Sequence, residues 1–187
     1  LLIAAFFSMI VVNVRFYISE MGQKAMIRDM FGQYLSPEVV EDLMEDPAKI
    51  QLGGEEREMT AYFSDVEGFT TISESLSPTE LVHLLNEYLT EMCNIILGYK
   101  GTIDKFEGDG IIAFWGAPAV LTDHAQCACF ASIDMNTRLV ELRDKWRAEG
   151  VPELKVRMGL NSGPMVVGNM GSEQRLDYTI MGDNVNL

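Results

Sequence analysis

The sequence predicts an α+β domain, with two helices packed on one side of a sheet that contains antiparallel strands. Three observations carry this. Ile103 to Phe106 and Ile111 to Trp115 are short runs rich in β-branched and aromatic residues, set around a Glu107-Gly-Asp-Gly110 turn, and they read as a β-hairpin. Apolar residues recur at helical spacing between Pro78 and Leu97 and again between Asp123 and Trp146. Further strand-like runs stand at Arg57 to Asp65, Leu154 to Leu160, Met165 to Gly168 and Asp177 to Met181. The resulting order, β-α-(α)-β-β-α-β-β with one further strand at the end, is close to the β-α-β-β-α-β pattern of ferredoxin-like folds.

The chain has 187 residues, 48% of them hydrophobic, which is enough for one domain with a real core and some flanking segments. A net charge of -14 argues against a partner held by its nucleic-acid backbone. It leaves a nucleotide substrate open, because bound divalent ions invert the local potential. Cys93, Cys127 and Cys129 form no CxxC pair and no disulfide framework, and they read as reduced thiols of an intracellular core.

Leu1 to Val12 is free of charge but too short alone to span a bilayer. Arg15, Lys24 and Arg28 follow it, as on a cytoplasmic flank. The expectation is that residues 1–18 end a transmembrane helix, leaving the domain that follows cytoplasmic at the cell membrane. Residues 19–54 read as a helical linker. A helix is expected over Phe16 to Phe31, and a shorter one over Pro37 to Glu45, with Ser36 as its cap and Pro37 at its first position. Gly53 and Gly54 mark a boundary, and the domain is placed at 55–187.

Within the domain, Val66, Glu67 and Gly68 close the first strand, and helical periodicity follows in two pieces, Phe69 to Glu74 and Pro78 to Leu97. Leu81, Leu84, Leu85, Leu89 and Met92 form the expected buried stripe. Asn161 to Pro164 reads as a turn and Asn169 to Leu176 as a polar loop. His83 reads as structural or surface, and His124 as a residue of a helix-capping region.

Asp109 sits in the hairpin turn and Asp65 at the end of the first strand. Each has an ordinary reading, as turn-former or helix cap. Together, beside a backbone carbonyl, they make a hard-oxygen site of the kind that holds Mg²⁺ on phosphates.

Four blocks then carry a resemblance: Phe63-Ser-Asp-Val-Glu-Gly-Phe-Thr70, Asp104-Lys-Phe-Glu-Gly-Asp-Gly110, Val156-Arg-Met-Gly-Leu-Asn-Ser-Gly163 and Asp177-Tyr-Thr-Ile-Met-Gly-Asp-Asn-Val-Asn186. In this order they resemble the catalytic domain of class III nucleotidyl cyclases, the adenylyl and guanylyl cyclases. The linker stretch FGQYLSPEVV resembles the connector between bacterial membrane-anchored sensor modules and such domains.

The resemblance implies attack of the ribose 3'-hydroxyl on the α-phosphate of a nucleoside triphosphate, with loss of pyrophosphate. It implies that Asp65, Asp109 and the Val66 carbonyl hold two Mg²⁺ or Mn²⁺ ions. The amides near Gly68, Phe69 and Thr70 would face the β- and γ-phosphates, and Arg157 would reach the phosphates as well. Lys105 and Thr179 match the base-recognition pair of bacterial adenylate cyclases, and Asn186 the asparagine that orients the ribose. The general base stays open between Asp65, water and a substrate phosphate.

Because both residue sets lie on one chain, the resemblance implies a homodimer with active sites shared across the interface. It also implies an upstream sensory domain and a role in signal transduction. The family's transition-state arginine falls beyond Leu187, so C-terminal elements are expected to be missing and the fragment alone inactive or very weak. Three rivals remain: a guanylate cyclase, for which Glu at 105 and Cys at 179 would speak; a catalytically degenerate dimerisation or nucleotide-sensing module; and a soluble α/β domain whose carboxylates merely cap turns.

Overall fold

The structure, a computed structural model, describes residues 15, 52–172 and 174–186. From residue 52 onward these belong to one compact unit, Ala48–Leu187. The expected membrane segment at 1–18 (Arg15 apart) and the linker helices lie outside the described residues. No described helix is long and apolar enough to cross a membrane.

The elements run β1 (Gly53–Val66), α1 (Phe69–Ser75), α2 (Pro78–Gly98), β2 (Thr102–Glu107), β3 (Gly110–Trp115), α3 (His124–Glu149), β4 (Val156–Ser172) and β5 (Arg175–Met181), followed by a 3-10 turn at Asp183–Val185. This is the predicted order as far as α3; after it two strands stand where three were expected, because the runs at Leu154 to Leu160 and Met165 to Gly168 belong to one strand, β4. The five strands form one sheet in the order β2-β3-β1-β4-β5, and every neighbouring pair is antiparallel.

Helix α2 starts where Ser77 and Glu80 cap each other: the Ser77 amide donates to the Glu80 carboxylate at 2.9 Å, and the Glu80 amide returns to Ser77 Oγ. Its buried face is Leu84, Tyr88, Met92 and Ile96, a strict four-residue spacing. Leu85 and Leu89 of the predicted stripe flank that face half-buried. Helix α3 buries Ala128, Ala131, Met135, Leu139, Leu142 and Trp146. Both helices pack on one face of the sheet, against Tyr62, Ile111, Ala113 and Trp115. Strand alternation sends Met59, Ala61, Phe114, Met165 and Val167 to the other face, where Ile180 joins them.

Two expectations of irregular backbone need correction. Asn161 to Pro164 is no turn, because β4 runs unbroken through it, paired from Asn161↔Ala61 to Pro164↔Glu58. Pro164 is tolerated because β5 pairs with β4 only from Val166 onward, leaving Pro164 one strand neighbour. Most of the expected loop at Asn169 to Leu176 is likewise strand, with Ser172 opposite Arg175 at a tight reversal. Gly53 and Gly54 open β1 against Asn169 and Gly168, and a side chain on Gly168 would run into the Gly53 carbonyl. The three cysteines are unpaired; Cys93 and Cys127 are half-buried, and Cys129 is exposed.

Candidate functional site

Two clusters gather the predicted site residues other than Asn186. The first lies where β1, the β2–β3 turn and β4 meet. Glu107 pairs with Gly110, so the hairpin loop is only Gly108 and Asp109. Gly108 carries the positive φ, 63°, that such a loop needs at its first position. Gly110 serves a different purpose from the one its Asp-Gly pairing suggests: a Cβ there would stand 2.5 Å from the Ser64 carbonyl oxygen of β1. That close approach lets Asp109 Oδ2 accept the Val66 amide at 2.7 Å. Asp65 is the neighbour of Val66, and both carboxylates therefore sit at one end of the sheet. Asp65 is opposite Arg157 on β4. Arg157 Nε donates to Asp65 Oδ1 at 3.0 Å, and a second guanidinium nitrogen donates to Oδ2. Asp65 holds the Arg157 guanidinium firmly protonated, its pKa raised by that hydrogen bond.

After Val66 the chain turns at Gly68, whose left-handed φ of 68° starts α1, and no side chain caps that end. Phe69 and Thr70 begin the helix there, where first-turn amides lack intrahelical acceptors. Among the described residues, no group of three or more His, Cys, Asp or Glu side chains gathers. The donor set at this end is two carboxylates and the Val66 backbone carbonyl. All are hard oxygens, and a cationic group already stands on Asp65. That set suits Mg²⁺ or Mn²⁺ and does not suit a soft metal.

The second cluster joins the two edges of the sheet. Although β2 and β5 are at opposite ends of the strand order, Lys105 Nζ on β2 lies 3.4 Å from Thr179 Oγ1 on β5. The sheet therefore curls toward its second face, where Phe114 of β3 also meets Tyr178 of β5 with ring centroids 6.2 Å apart. Between the edges stands Asp104, which the sequence reading quoted in a motif but gave no role. Its Oδ2 accepts from Thr179 Oγ1 at 2.5 Å, and its Oδ1 lies 3.3 Å from Lys105 Nζ. Burial pushes the Asp104 pKa upward, opposed by Thr179, Lys105 and the Ile180 amide. A break in the two-residue alternation of Ile103 to Phe106 is the local signal that was available: the β2–β3 register shifts at this point.

Asn186 follows the 3-10 turn, and its side-chain amide reaches the Gly182 carbonyl at 3.4 Å. Neighbouring contacts fix that turn: Asn161 Nδ2 donates to the Asn184 carbonyl at 2.7 Å, and Asn184 Nδ2 to the Pro164 carbonyl at 3.0 Å. His124, at the first position of α3, bonds Thr60 Oγ1 at 2.7 Å, and Thr60 bonds Ser162. It is thus tied into the sheet.

Residues 54–187 match the family described as "Adenylate and Guanylate cyclase catalytic domain". The chain belongs to this family. The cyclase domain is 43% identical over 131 residues to Adenylate cyclase 1 of Rhizobium meliloti (strain 1021), covering 70% of this chain and 20% of that protein. It spans 20% to 30% of the length of the curated relatives it matches first. Among solved structures, it is similar to the adenylyl cyclase CyaB from P. aeruginosa, at 44% identity and TM-score 0.69, over 72% of this chain and 70% of that one. It is similar to the guanylyl cyclase Cya2 at 41% identity and TM-score 0.68, over 72% of this chain and 68% of that one. Two cyclases of opposite base preference are thus matched almost equally, so overall likeness does not choose the nucleotide.

Proposed function

We propose that the chain is the catalytic part of an adenylate cyclase that converts ATP to 3',5'-cyclic AMP and pyrophosphate. The observation that carries the adenine reading is the Lys105–Thr179 pair, a cationic donor beside a hydroxyl. Adenine offers a ring-nitrogen acceptor next to an amino donor, which such a pair complements. The similarity to a guanylyl cyclase keeps GTP as the second reading.

In this reading Asp65, Asp109 and the Val66 carbonyl hold two divalent ions, Mg²⁺ or Mn²⁺. When bound, these ions supply charge that acidifies the 3'-hydroxyl and stabilises the phosphates. Arg157 exchanges Asp65 for phosphate oxygens, which its fork fits equally well. The amides of Gly68, Phe69 and Thr70 receive the β- and γ-phosphates, and Asn186 orients the ribose. The 3'-oxygen attacks the α-phosphorus in line as pyrophosphate departs, so the protein's contribution is positioning and charge.

The two clusters belong to different active sites of a homodimer, each site taking the aspartates from one protomer and Lys105, Thr179 and Asn186 from the other. The uncharged run Leu1 to Val12 supports membrane attachment of the parent protein, with the cyclase domain in the cytoplasm and a sensory domain upstream for signal transduction.

The deciding assay incubates the full-length parent with Mn²⁺ and either ATP or GTP, and follows both cyclic nucleotides and pyrophosphate. Preferential cyclic AMP is expected, and preferential cyclic GMP overturns the adenine reading. Mixing Asp65→Ala with Lys105→Ala protein is expected to restore activity. No recovery in the mixture counts against shared sites.

A further inference from the structure

Asp104 is a buried charge that none of these roles uses. It is the extra residue of a bulge: Ile103 pairs with Ala113 and Lys105 with Ile112, leaving Asp104 unmatched. Its side chain is 2% exposed, while that of Lys105 beside it is 43% exposed. A charge so deep is retained only with partners, and it has them on both edges of the sheet: Lys105 at 3.3 Å and the Thr179 hydroxyl at 2.5 Å.

The direction of the second bond matters. A hydroxyl has one hydrogen and two lone pairs. An ionised carboxylate can only accept, so the Thr179 hydrogen is committed to Asp104. What Thr179 presents to a ligand is then a lone pair. Lys105 presents only hydrogens. The exposed pair is therefore a donor beside an acceptor, with its polarity fixed.

We propose that Asp104 sets the base preference of this site by holding the Thr179 hydroxyl as an acceptor. The inference rests on the reading above that Lys105 and Thr179 meet the base. Adenine in that position donates its amino hydrogen to Thr179 and accepts from Lys105 at its ring nitrogen. Guanine in the same position sets its carbonyl oxygen against the Thr179 lone pair and its ring N–H against the ammonium. Unmatched polar groups of this kind discriminate more strongly than a missing contact does. Without Asp104 the hydroxyl is free to rotate and donate to the guanine carbonyl, and the penalty against guanine falls. Asp104 is thus a positioning residue that acts through Thr179.

The test compares kcat/KM for ATP and GTP in the full-length parent carrying Asp104→Asn. Lys105 cannot accept a hydrogen bond, so the new amide must turn its oxygen to Lys105 and its NH₂ to Thr179. That reverses the hydroxyl. The ATP-to-GTP ratio is expected to fall about tenfold. In a Thr179→Val background, where no hydroxyl remains to be oriented, Asp104→Asn is expected to leave the ratio unchanged. If Asp104 only closes the sheet, both nucleotides lose kcat/KM alike and the ratio stays at the wild-type value, which overturns the proposal. Should thermal melting show that Asp104→Asn does not fold, Asp104→Val replaces the carboxylate with an apolar side chain and is read the same way. A wild-type parent that prefers GTP overturns the adenine reading itself, before any variant is compared.

Discussion

Arg157 and Asp65 face each other across β1 and β4 and share two hydrogen bonds, one at 3.0 Å. Both side chains are largely exposed, so water screens the pair and its grip is modest. The guanidinium occupies the carboxylate that a divalent ion would need. Arg157→Met should therefore bind Mn²⁺ in the absence of nucleotide a few-fold more tightly than the wild type, as read by the free Mn²⁺ signal in electron paramagnetic resonance. Turnover of the parent should nonetheless drop, because the phosphates lose a cation. Unchanged Mn²⁺ affinity would show that Arg157 does not compete for Asp65.

Asp109 does two things at once, and two substitutions separate them. Its carboxylate supplies charge, and Oδ2 also satisfies the amide of buried Val66 at 2.7 Å. Asp109→Asn keeps an acceptor for that amide but removes the charge. Its melting temperature should stay close to wild type while parent activity falls by about two orders of magnitude or more. Asp109→Ala should show the same loss of activity and also lose about 1–3 kcal/mol of stability, because the amide is left without its partner. Equal melting temperatures for the two variants would mean that the Val66 bond contributes nothing.

Gly110 tests whether the close approach of β3 to β1 builds the end of the sheet that carries Asp65 and Asp109. A Cβ there meets the Ser64 carbonyl oxygen at 2.5 Å, and backbone cannot step aside as a flexible side chain can. Gly110→Ala should cost about 1–3 kcal/mol in urea unfolding. Parent activity should fall by more than the lost folded fraction explains, since Asp109 adjoins the displaced residue. Gly98→Ala, at a position with open space around the added carbon, is the control. If the two variants behave alike, the close contact has no consequence.

Much of this was legible from local pattern. The order of elements followed from helical and alternating periodicity, and Asp65 and Asp109 stood out as acids at strand ends. What local pattern missed depends on partners distant in sequence. Asn161 to Pro164 has turn composition, yet Ala61 to Glu58 across the ladder hold it as strand. Asp104 carries no signal of its own in the sequence beyond its place in the hairpin motif. Its burial arises because Thr179 arrives from the opposite edge of a curled sheet. The Asp109-Gly110 dipeptide points to a positive φ at Gly110, yet that φ belongs to Gly108, and Gly110 is needed for room.

The contact between α2 and α3 gives a prediction about acid stability. Glu87 on α2 bonds Lys145 of α3 and accepts from Trp146 Nε1 at 3.0 Å. The bond from Lys145 holds the Glu87 carboxyl below its ordinary value of 4.5, with Trp146 acting in the same direction. The unfolded chain therefore binds more protons than the folded one as the pH drops below 4.5. The pair's contribution is complete above that value and is lost as the pH falls through the lower folded value. Thermal melts between about pH 6 and pH 3 should show wild type losing stability more steeply than Glu87→Gln, the two curves converging at the acid end. At the neutral end wild type should be the more stable. Parallel curves across that range would mean that Glu87 titrates alike in the folded and unfolded chain, and the clamp would then carry no pH-dependent stability.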